Sequence, residues 1–122
     1  YINVQRMLLL PMLQAFDVAN PNGTCARRDR STTPLQALTL LNDPVFHEAA
    51  TALGRRIHAA CADDNRRQIR HAFQLCLGRE PDQRELAVME KLMAIYSPTT
   101  GRTACTALAR VMINLEEFIT RE

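Results

Sequence analysis

The polar residues that could form a binding site concentrate in the first third of the chain. They combine a carboxylate, an amide and three guanidinium groups: Asp17, Asn20, Arg27, Arg28 and Arg30. A helix is predicted to follow at Pro34, and the N-terminus of a helix attracts an anion or a carboxylate. The cluster could therefore bind an anionic ligand. The alternative is a structural network in which Asp17 or Asp29 pairs with an arginine and fixes the loop, and the geometry of Arg–carboxylate pairs favours it.

Two amides, Gln36 and Asn42, are predicted on the helix that follows this cluster. Both lie among leucines, so each would need hydrogen-bond partners if it were buried. We add these two residues to the candidate binding cluster.

The sequence predicts no metal, no cofactor and no catalytic residue. Asp43 and His47 would share a helix face, with Glu48 adjacent, and two such ligands could hold a metal. Asp43 is already explained as a helix cap, however, and no third ligand is visible. His58 and His71 lack a partner at motif spacing, which indicates surface or core-edge histidines. No Ser or Cys comes with a recognisable base and orienting group, so a nucleophilic triad has no support.

Cysteine spacing argues against zinc, thioredoxin-type and haem-attachment motifs, because Cys25, Cys61, Cys76 and Cys105 form neither CxxC nor CxxCH. Cys76 falls on an apolar helix face and is interpreted as a buried thiol. Cys61 and Cys76 would lie roughly 20 Å apart along a helical segment, which is too far for a disulfide. Other pairings stay open.

Arginines also flank the junction of the second and third long helices, at Arg55, Arg56, Arg66, Arg67 and Arg70. A basic patch on helices could bind phosphate, as in nucleic acid or another anion. Asp63 and Asp64 separate the two groups of arginines, and the net charge is only +2. These features favour a solvated, salt-bridged face over nucleic-acid binding.

The segment that would position the polar cluster is Thr33-Pro34-Leu35-Gln36-Ala37-Leu38-Thr39-Leu40-Leu41-Asn42-Asp43-Pro44. Thr32 or Thr33 can cap a helix whose first residue is Pro34. Leu35, Leu38 and Leu41, with Leu40 alongside, would then form one apolar face. Asn42-Asp43-Pro44 ends this helix and begins the next, with Asp43 as N-cap.

The rest of the chain also reads as helices with short links. A short helix from Pro11 to Phe16 and a loop from Asp17 to Arg30 precede the central segment. A second long helix is predicted from Pro44 to about Ala62, with an apolar stripe at Phe46, Ala49, Ala50, Leu53, Ile57 and Ala60.

Three more helices follow. Asp63 or Asp64 caps the third, and Gly78 ends it. Glu80-Pro81-Asp82 opens the fourth, with inward residues at Leu86, Met89, Leu92, Met93 and Tyr96. Ser97 to Gly101 is predicted as a loop, and one last helix carries Leu108, Val111, Met112, Leu115, Phe118 and Ile119.

The predicted fold class is all-α, a compact bundle-like domain of five to six helices. Residues 1–32 would form an irregular arm and loop, with Tyr1–Val4 as a short strand or extended arm, and residues 33–122 the helical core of one domain. No segment has the ~18 apolar residues that a membrane span needs. The chain begins at Tyr1 without an initiator Met or a signal peptide, so we expect a C-terminal piece of a larger protein.

Several motifs together resemble one family. They are Phe16-Asp17-Val18-Ala19-Asn20, Cys25-Ala26-Arg27-Arg28, the central segment, Leu77-Gly78-Arg79-Glu80-Pro81 and Leu115-Glu116-Glu117-Phe118. This set resembles the C-terminal part of the planctomycete domain of unknown function 1553, DUF1553, over essentially the whole chain. Ala19 stands where the family usually has proline, and Ser31-Thr32-Thr33 replaces a commoner Thr-Asn-Thr.

The resemblance implies a large, exported bacterial protein with upstream domains, among them a cytochrome-c-like domain, and in some members carbohydrate-binding-like modules. It implies an extracytoplasmic location and a link to polysaccharide handling, but no reaction and no catalytic residues. The leading hypothesis is a non-catalytic structural or interaction domain that packs on upstream domains or binds a protein or glycan partner. One alternative is a hydrolytic site completed by upstream sequence, and another is weak nucleic-acid or anion binding through the arginine-rich helix faces.

Overall fold

The structure is a computed structural model that describes residues 11–19, 22–26, 33–61, 64–96 and 101–120. Its seven helices within these ranges are α1 (Pro11–Ala15), α2 (Pro34–Asn42), α3 (Pro44–Ala60), α4 (Asn65–Leu77), α5 (Gln83–Tyr96), α6 (Gly101–Ile113) and α7 (Glu116–Ile119). The all-α prediction is confirmed, and no strand occurs in these ranges. None of the described helices is long and apolar enough to cross a membrane. The predicted arm at Tyr1–Val4 lies outside the described residues.

The chain divides into two compact units, Tyr1–Leu40 and Leu41–Glu122. The boundary falls inside α2, whereas the sequence interpretation separated arm from core at residue 33. The interpretation of 1–122 as one domain stays a prediction, and each unit is described by itself.

In the first unit, a tight turn ends α1. Val18 N–H donates to Leu13 C=O at 3.1 Å and Asp17 N–H to Gln14 C=O at 3.3 Å. This is the pattern of a Schellman cap, which needs a left-handed residue after the helix. Asp17 supplies it with φ 52°, a conformation that aspartate tolerates better than most residues.

A capping box begins α2, also in the first unit. Gln36 N–H donates to Thr33 Oγ1 at 3.3 Å, and Thr33 N–H donates to Gln36 Oε1 at 3.2 Å. Two N–H groups that the helix itself leaves without partners are thereby satisfied. The sequence predicted Thr32 or Thr33 as the cap, and the structure places the cap at Thr33.

The leucines predicted to form one apolar face of α2 differ in burial. Leu35, Leu38 and Leu41 are 61%, 54% and 45% exposed, while Gln36 and Leu40 are buried. The buried side of α2 carries Gln36, which is held by the capping box and lies 3.5 Å from Asp17 Oδ2 through its Nε2. Leu40 follows four residues later on that side, and the other leucines point outward.

In the second unit, α6 is the central helix and packs against α3, α4, α5 and α7. Its buried residues are Ala104, Cys105, Leu108, Ala109, Met112 and Ile113. The largest fully buried side chains around it are Phe73, Ile57, Ile69 and Met93. Short polar caps set the boundaries of the surrounding helices: Asp43 accepts from Val45 N–H at 2.9 Å and Asp64 from Arg67 N–H at 3.1 Å.

Gly78 ends α4 in the left-handed conformation, with φ 71°, as its position predicted. Asp82 and Glu85 then form a second capping box at the start of α5. Glu85 N–H donates to Asp82 Oδ1 at 2.6 Å, and Asp82 N–H donates to Glu85 Oε2 at 2.7 Å. The predicted helix opening, Glu80-Pro81-Asp82, directly precedes α5, and the capping box is an additional feature of it.

Two predicted boundaries near the C-terminus are wrong. Gly101 belongs to α6 rather than to the preceding loop, and the predicted last helix is two helices. Asn114 divides them: its Nδ2 donates back to Arg110 C=O at 2.8 Å, which competes with continued helical bonding. The chain turns at Leu115 and starts again as α7.

Some predicted core residues lie at the surface. Ala49 and Ala60 on α3, Tyr96 on α5 and Phe118 on α7 are exposed. On α3 the buried face is centred instead on Ala50, Gly54 and Ile57, so the stripe is narrower than the sequence indicated.

Gly54 permits close packing of α3 on α6. A Cβ atom added at Gly54 would lie 2.8 Å from both the Cα and the N of Thr106. Because these are backbone atoms, the helices would have to separate to admit even one methyl group.

We predict that Gly54→Ala lowers the free energy of unfolding by about 1–3 kcal/mol, the usual cost of overpacking. The loss should appear although alanine favours an isolated helix by about 1 kcal/mol. Urea denaturation of the chain measures it. Gly23→Ala is the control, because a Cβ there meets nothing within 4 Å. Equal stability of Gly54→Ala and the control would contradict the close approach.

Candidate functional site

One guanidinium group connects three parts of the second unit. Arg79 lies in the α4–α5 link, and its two carboxylate partners are Glu85 on α5 and Glu117 on α7. NH1 and NH2 donate to the two carboxylate oxygens of Glu85 at 2.8 and 2.7 Å. Nε and NH2 donate to the two oxygens of Glu117 at 2.8 and 2.7 Å. We call Arg79, Glu85 and Glu117 the arginine clamp.

The clamp uses the full donor capacity of Arg79. Its remaining N–H on NH1 donates to Glu80 C=O at 3.1 Å, so all five guanidinium hydrogens have an acceptor. The Cζ atom also lies 5.3 Å from the ring centroid of Phe73, in cation–π range. Phe73 is fully buried, so the clamp rests directly on the core of the second unit.

The clamp changes the acidity of its carboxylates. The hydrogen bonds from Arg79 lower the pKa of Glu85 from 4.5 to about 2, with help from the N–H of Asp82 and against the effect of burial. They also lower the pKa of Glu117. The two carboxylates in turn raise the pKa of Arg79. Both acids are therefore ionised at neutral pH, which excludes the general-acid role that a raised pKa would support.

A polar cleft lies beside the clamp, with a volume of about 790 Å³. Glu85 and Glu117 both reach it, as do Cys76 and Glu116. Converging carboxylates in a cleft would favour a hydrolytic site if no arginine paired with them, but Arg79 pairs with both. Burial raises the pKa of the Cys76 thiol, so this cysteine is also a poor nucleophile. The cleft offers no activated group among its described residues.

The sequence-predicted polar cluster is described only in part. Gln36 Nε2 lies 3.5 Å from Asp17 Oδ2, so the structure brings these two residues of the first unit together. Gln36 is 3% exposed, and its oxygen already serves the capping box. Asn42 is exposed and belongs to the second unit. The other members, Asn20, Arg27, Arg28 and Arg30, lie outside the described residues, so the cluster as a binding site stays a prediction.

The structure uses Asp43 as a cap, with its Oδ1 on Val45 N–H, and leaves His47 exposed nearby. The described residues hold no group of three His, Cys, Asp or Glu side chains that could bind a metal ion.

A buried amide joins two of the cysteines. Gln68 is 3% exposed, its Nε2 donates to Cys61 C=O at 2.8 Å, and its Oε1 accepts from Cys105 Sγ at 3.2 Å. Burial raises the pKa of the Cys105 thiol, and Cys61 adds to the effect. Cys61, Cys76 and Cys105 are free thiols. Cys76, interpreted as buried from sequence, is partly accessible.

The arginines near the α3–α4 junction pair largely with acids. Arg66 contacts Glu90, Arg67 lies 3.9 Å from Asp64, and Arg70 lies 3.8 Å from Glu80. The exposed Arg55 and Arg56 make no ion pair with any described carboxylate. The α4 part of this patch is therefore a salt-bridged face.

The second unit also carries an apolar groove of about 470 Å³, which we call the α5–α6 groove. Its lining residues come mainly from facing sides of α5 and α6: Leu41, Leu92, Tyr96, Thr103, Thr106, Ala107, Arg110, Val111, Asn114 and Leu115. Its volume is in the ordinary range of ligand sites, roughly 300–1,000 Å³. Arg110 carries the only formal charge among these ten residues.

Sequence reasoning missed both the clamp and the groove. The spacing Asp82-x-x-Glu85 is a signal for the capping box, and it would have located one side of the clamp. Nothing in the sequence pairs Arg79 with Glu117, which lies 38 residues later. The groove depends on how α5 and α6 pack, and Tyr96 was predicted to be inside the core.

Comparison with known proteins identifies one matching family. The model of a family described as "Protein of unknown function (DUF1553)" matches residues 1–93. The matched range includes Arg79 and Glu85 but ends before α6 and α7. No curated protein and no solved structure matches the chain.

We predict that the clamp makes stability depend on pH. The pKa of Glu85 is lower in the folded chain than the unfolded value, so its contribution is complete above about pH 4.5 and disappears as pH falls towards 2. The free energy of unfolding, measured with urea at several pH values, should fall over this window. Glu85→Gln should be less stable at pH 7 and should show a smaller fall. An identical fall in both proteins would contradict the assignment.

Proposed function

The chain belongs to the DUF1553 family, and we propose that it is a non-catalytic interaction domain. Membership of this family identifies the relatives of the chain but assigns no reaction to it. The domain would be part of a large exported bacterial protein and would pack against upstream domains of the same polypeptide. The exported, multidomain setting is part of this proposal and rests on the family resemblance. So does the link to polysaccharide, which we assign to the larger protein rather than to binding by this chain. No reaction is assigned to the chain.

The α5–α6 groove carries the proposal. Apolar side chains at its edges stay in contact with water: Leu41 and Tyr96 are 45% and 41% exposed. Exposed apolar surface that forms one contiguous patch is typical of interaction sites, whereas single exposed residues are not. The outward leucines of α2, Leu35 and Leu38, add a second apolar surface of the same kind.

The state of the charged groups supports a non-catalytic role. The carboxylates that converge beside the polar cleft are ionised and held by Arg79, which argues against the hydrolytic alternative. Nucleic-acid binding needs arginines available for phosphate, and three of the five at the α3–α4 junction have acidic partners.

The test is thermal unfolding of the chain with separate ligand classes. These are the proposed upstream domains, produced as a separate protein, soluble oligosaccharides and a short DNA duplex. We expect the upstream domains alone to raise the melting temperature, because a ligand at 100 times its Kd adds about 2.7 kcal/mol of apparent stability.

Thr103→Trp provides the matched variant. Thr103 is exposed and lines the groove, so the substitution should change the stability of the free chain by no more than about 0.5 kcal/mol. It should weaken binding of the upstream domains at least tenfold, about 1.4 kcal/mol. Ala52→Trp, at an exposed position of α3 outside the groove, is the control. Stabilisation by oligosaccharide or DNA alone, or equal binding by both variants, would refute the proposal.

A further inference from the structure

The α5–α6 groove has the length of a short helix. It follows one side of α6 from Thr103 to Asn114, and at about 1.5 Å per residue this distance is ~17 Å, or about three helical turns. An occupant that fills the groove would therefore be elongated.

Three of the α6 residues that line the groove have short side chains: Thr103, and Thr106 and Ala107 about one turn later. Larger apolar residues line it as well, with Leu92 as the wall on α5 and Leu41 among the other lining residues. An amphipathic helix binds by laying its apolar face in a groove of this kind, and short side chains let its backbone approach closely.

Apolar surface continues beyond the groove along α5. Val88 and Ile95 lie about one turn before and one turn after Leu92, and they are 59% and 71% exposed. Residues four and three apart share a helix face, so these side chains extend the same wall. A small ligand buries most of its surface inside one cavity, whereas this open wall fits a longer partner.

Arg110 is the charged group of the groove that a bound partner would contact. It is exposed in the groove, and its NH2 donates to Leu41 C=O at 3.3 Å. Within the described part of the chain it has no carboxylate partner, and no acidic residue lines the groove. A guanidinium group binds a carboxylate in preference to a neutral or basic group.

We propose that the occupant of the α5–α6 groove is an amphipathic α-helix of about three turns, with leucine-like residues on one face and a glutamate or aspartate that pairs with Arg110. This inference rests on the proposed function and specifies the part of the partner that binds. The contact is between apolar faces, and the carboxylate sets the orientation of the helix.

The test is selection from a phage-displayed library of 16-residue peptides with random sequence, using the chain as bait. Enriched peptides should carry apolar residues at i, i+3 or i+4 and i+7, with an acidic residue beside them. Fluorescence anisotropy of one enriched peptide then gives its Kd. Circular dichroism shows whether the peptide becomes helical when the chain is added.

Two variants identify the contacts of that peptide. Thr103→Trp should abolish binding because the larger side chain fills part of the groove, while Ala52→Trp should bind normally. Arg110→Gln should weaken the peptide about tenfold or more, since hydrogen bonds between two charged groups are stronger than those between neutral ones. It should weaken a glutamine version of the same peptide far less.

The outcomes separate the two proposals. No enriched peptide, or peptides that bind Thr103→Trp as well as the parent chain, would overturn the groove as a peptide site. Enriched peptides that need the groove but are extended, or carry basic residues in place of the acid, would overturn the acidic helix. In that case the proposal that the chain is an interaction domain would still hold.

Discussion

The hydrogen bonds and ion pairs of one guanidinium group, that of Arg79, join three parts of the second unit. Arg79 cannot lose its proton, so the fold must give its five N–H groups acceptors or leave them to water. Glu85, Glu117 and the carbonyl of Glu80 supply those acceptors, and Phe73 supplies the surface beneath. The α4–α5 link, the first turn of α5 and the C-terminal helix are thereby held in one arrangement.

This arrangement bears on function as well as on stability. Two glutamates side by side would repel each other, and one would take up a proton and become a candidate general acid. With Arg79 between them both stay ionised, and each carboxylate accepts two hydrogen bonds from the guanidinium. The residues most similar to a catalytic pair are thus committed to structure. Within the described part of the chain, apolar side chains are exposed at the α5–α6 groove and at Leu35 and Leu38 of α2.

Local signals predicted the helices well, because capping is decided within a few residues. Pro34, Asp43-Pro44 and Gly78 mark boundaries that the structure confirms. Which side of a helix is buried was less predictable. The leucines of α2 predicted one apolar face, but the residues of α2 that are buried are Gln36 and Leu40. The break at Asn114 also escaped prediction, since the apolar pattern continues across it.

The candidate sites were harder to predict than the fold for a physical reason. The contact of Arg79 with Glu117 spans 38 residues, and the groove exists only after α5 and α6 have packed. Gly54 could not be predicted as a contact point either. A glycine within a helix lowers the stability of that helix, and its role in close packing is recognised only when the neighbouring helix is known. The sequence did place Asp17 and Gln36 in one polar cluster, and the structure brings these two together.

The most direct test of the account is a double-mutant cycle between Arg79 and Glu117, measured by urea denaturation at neutral pH. The chain is compared with Arg79→Met, Glu117→Gln and the double variant; methionine retains an apolar stem over Phe73. If the clamp holds the unit together, either single change destabilises the chain, and the second change adds less than its own separate loss. Losses that simply add would show that the two residues do not interact, and the assignment of these carboxylates to structure would be wrong.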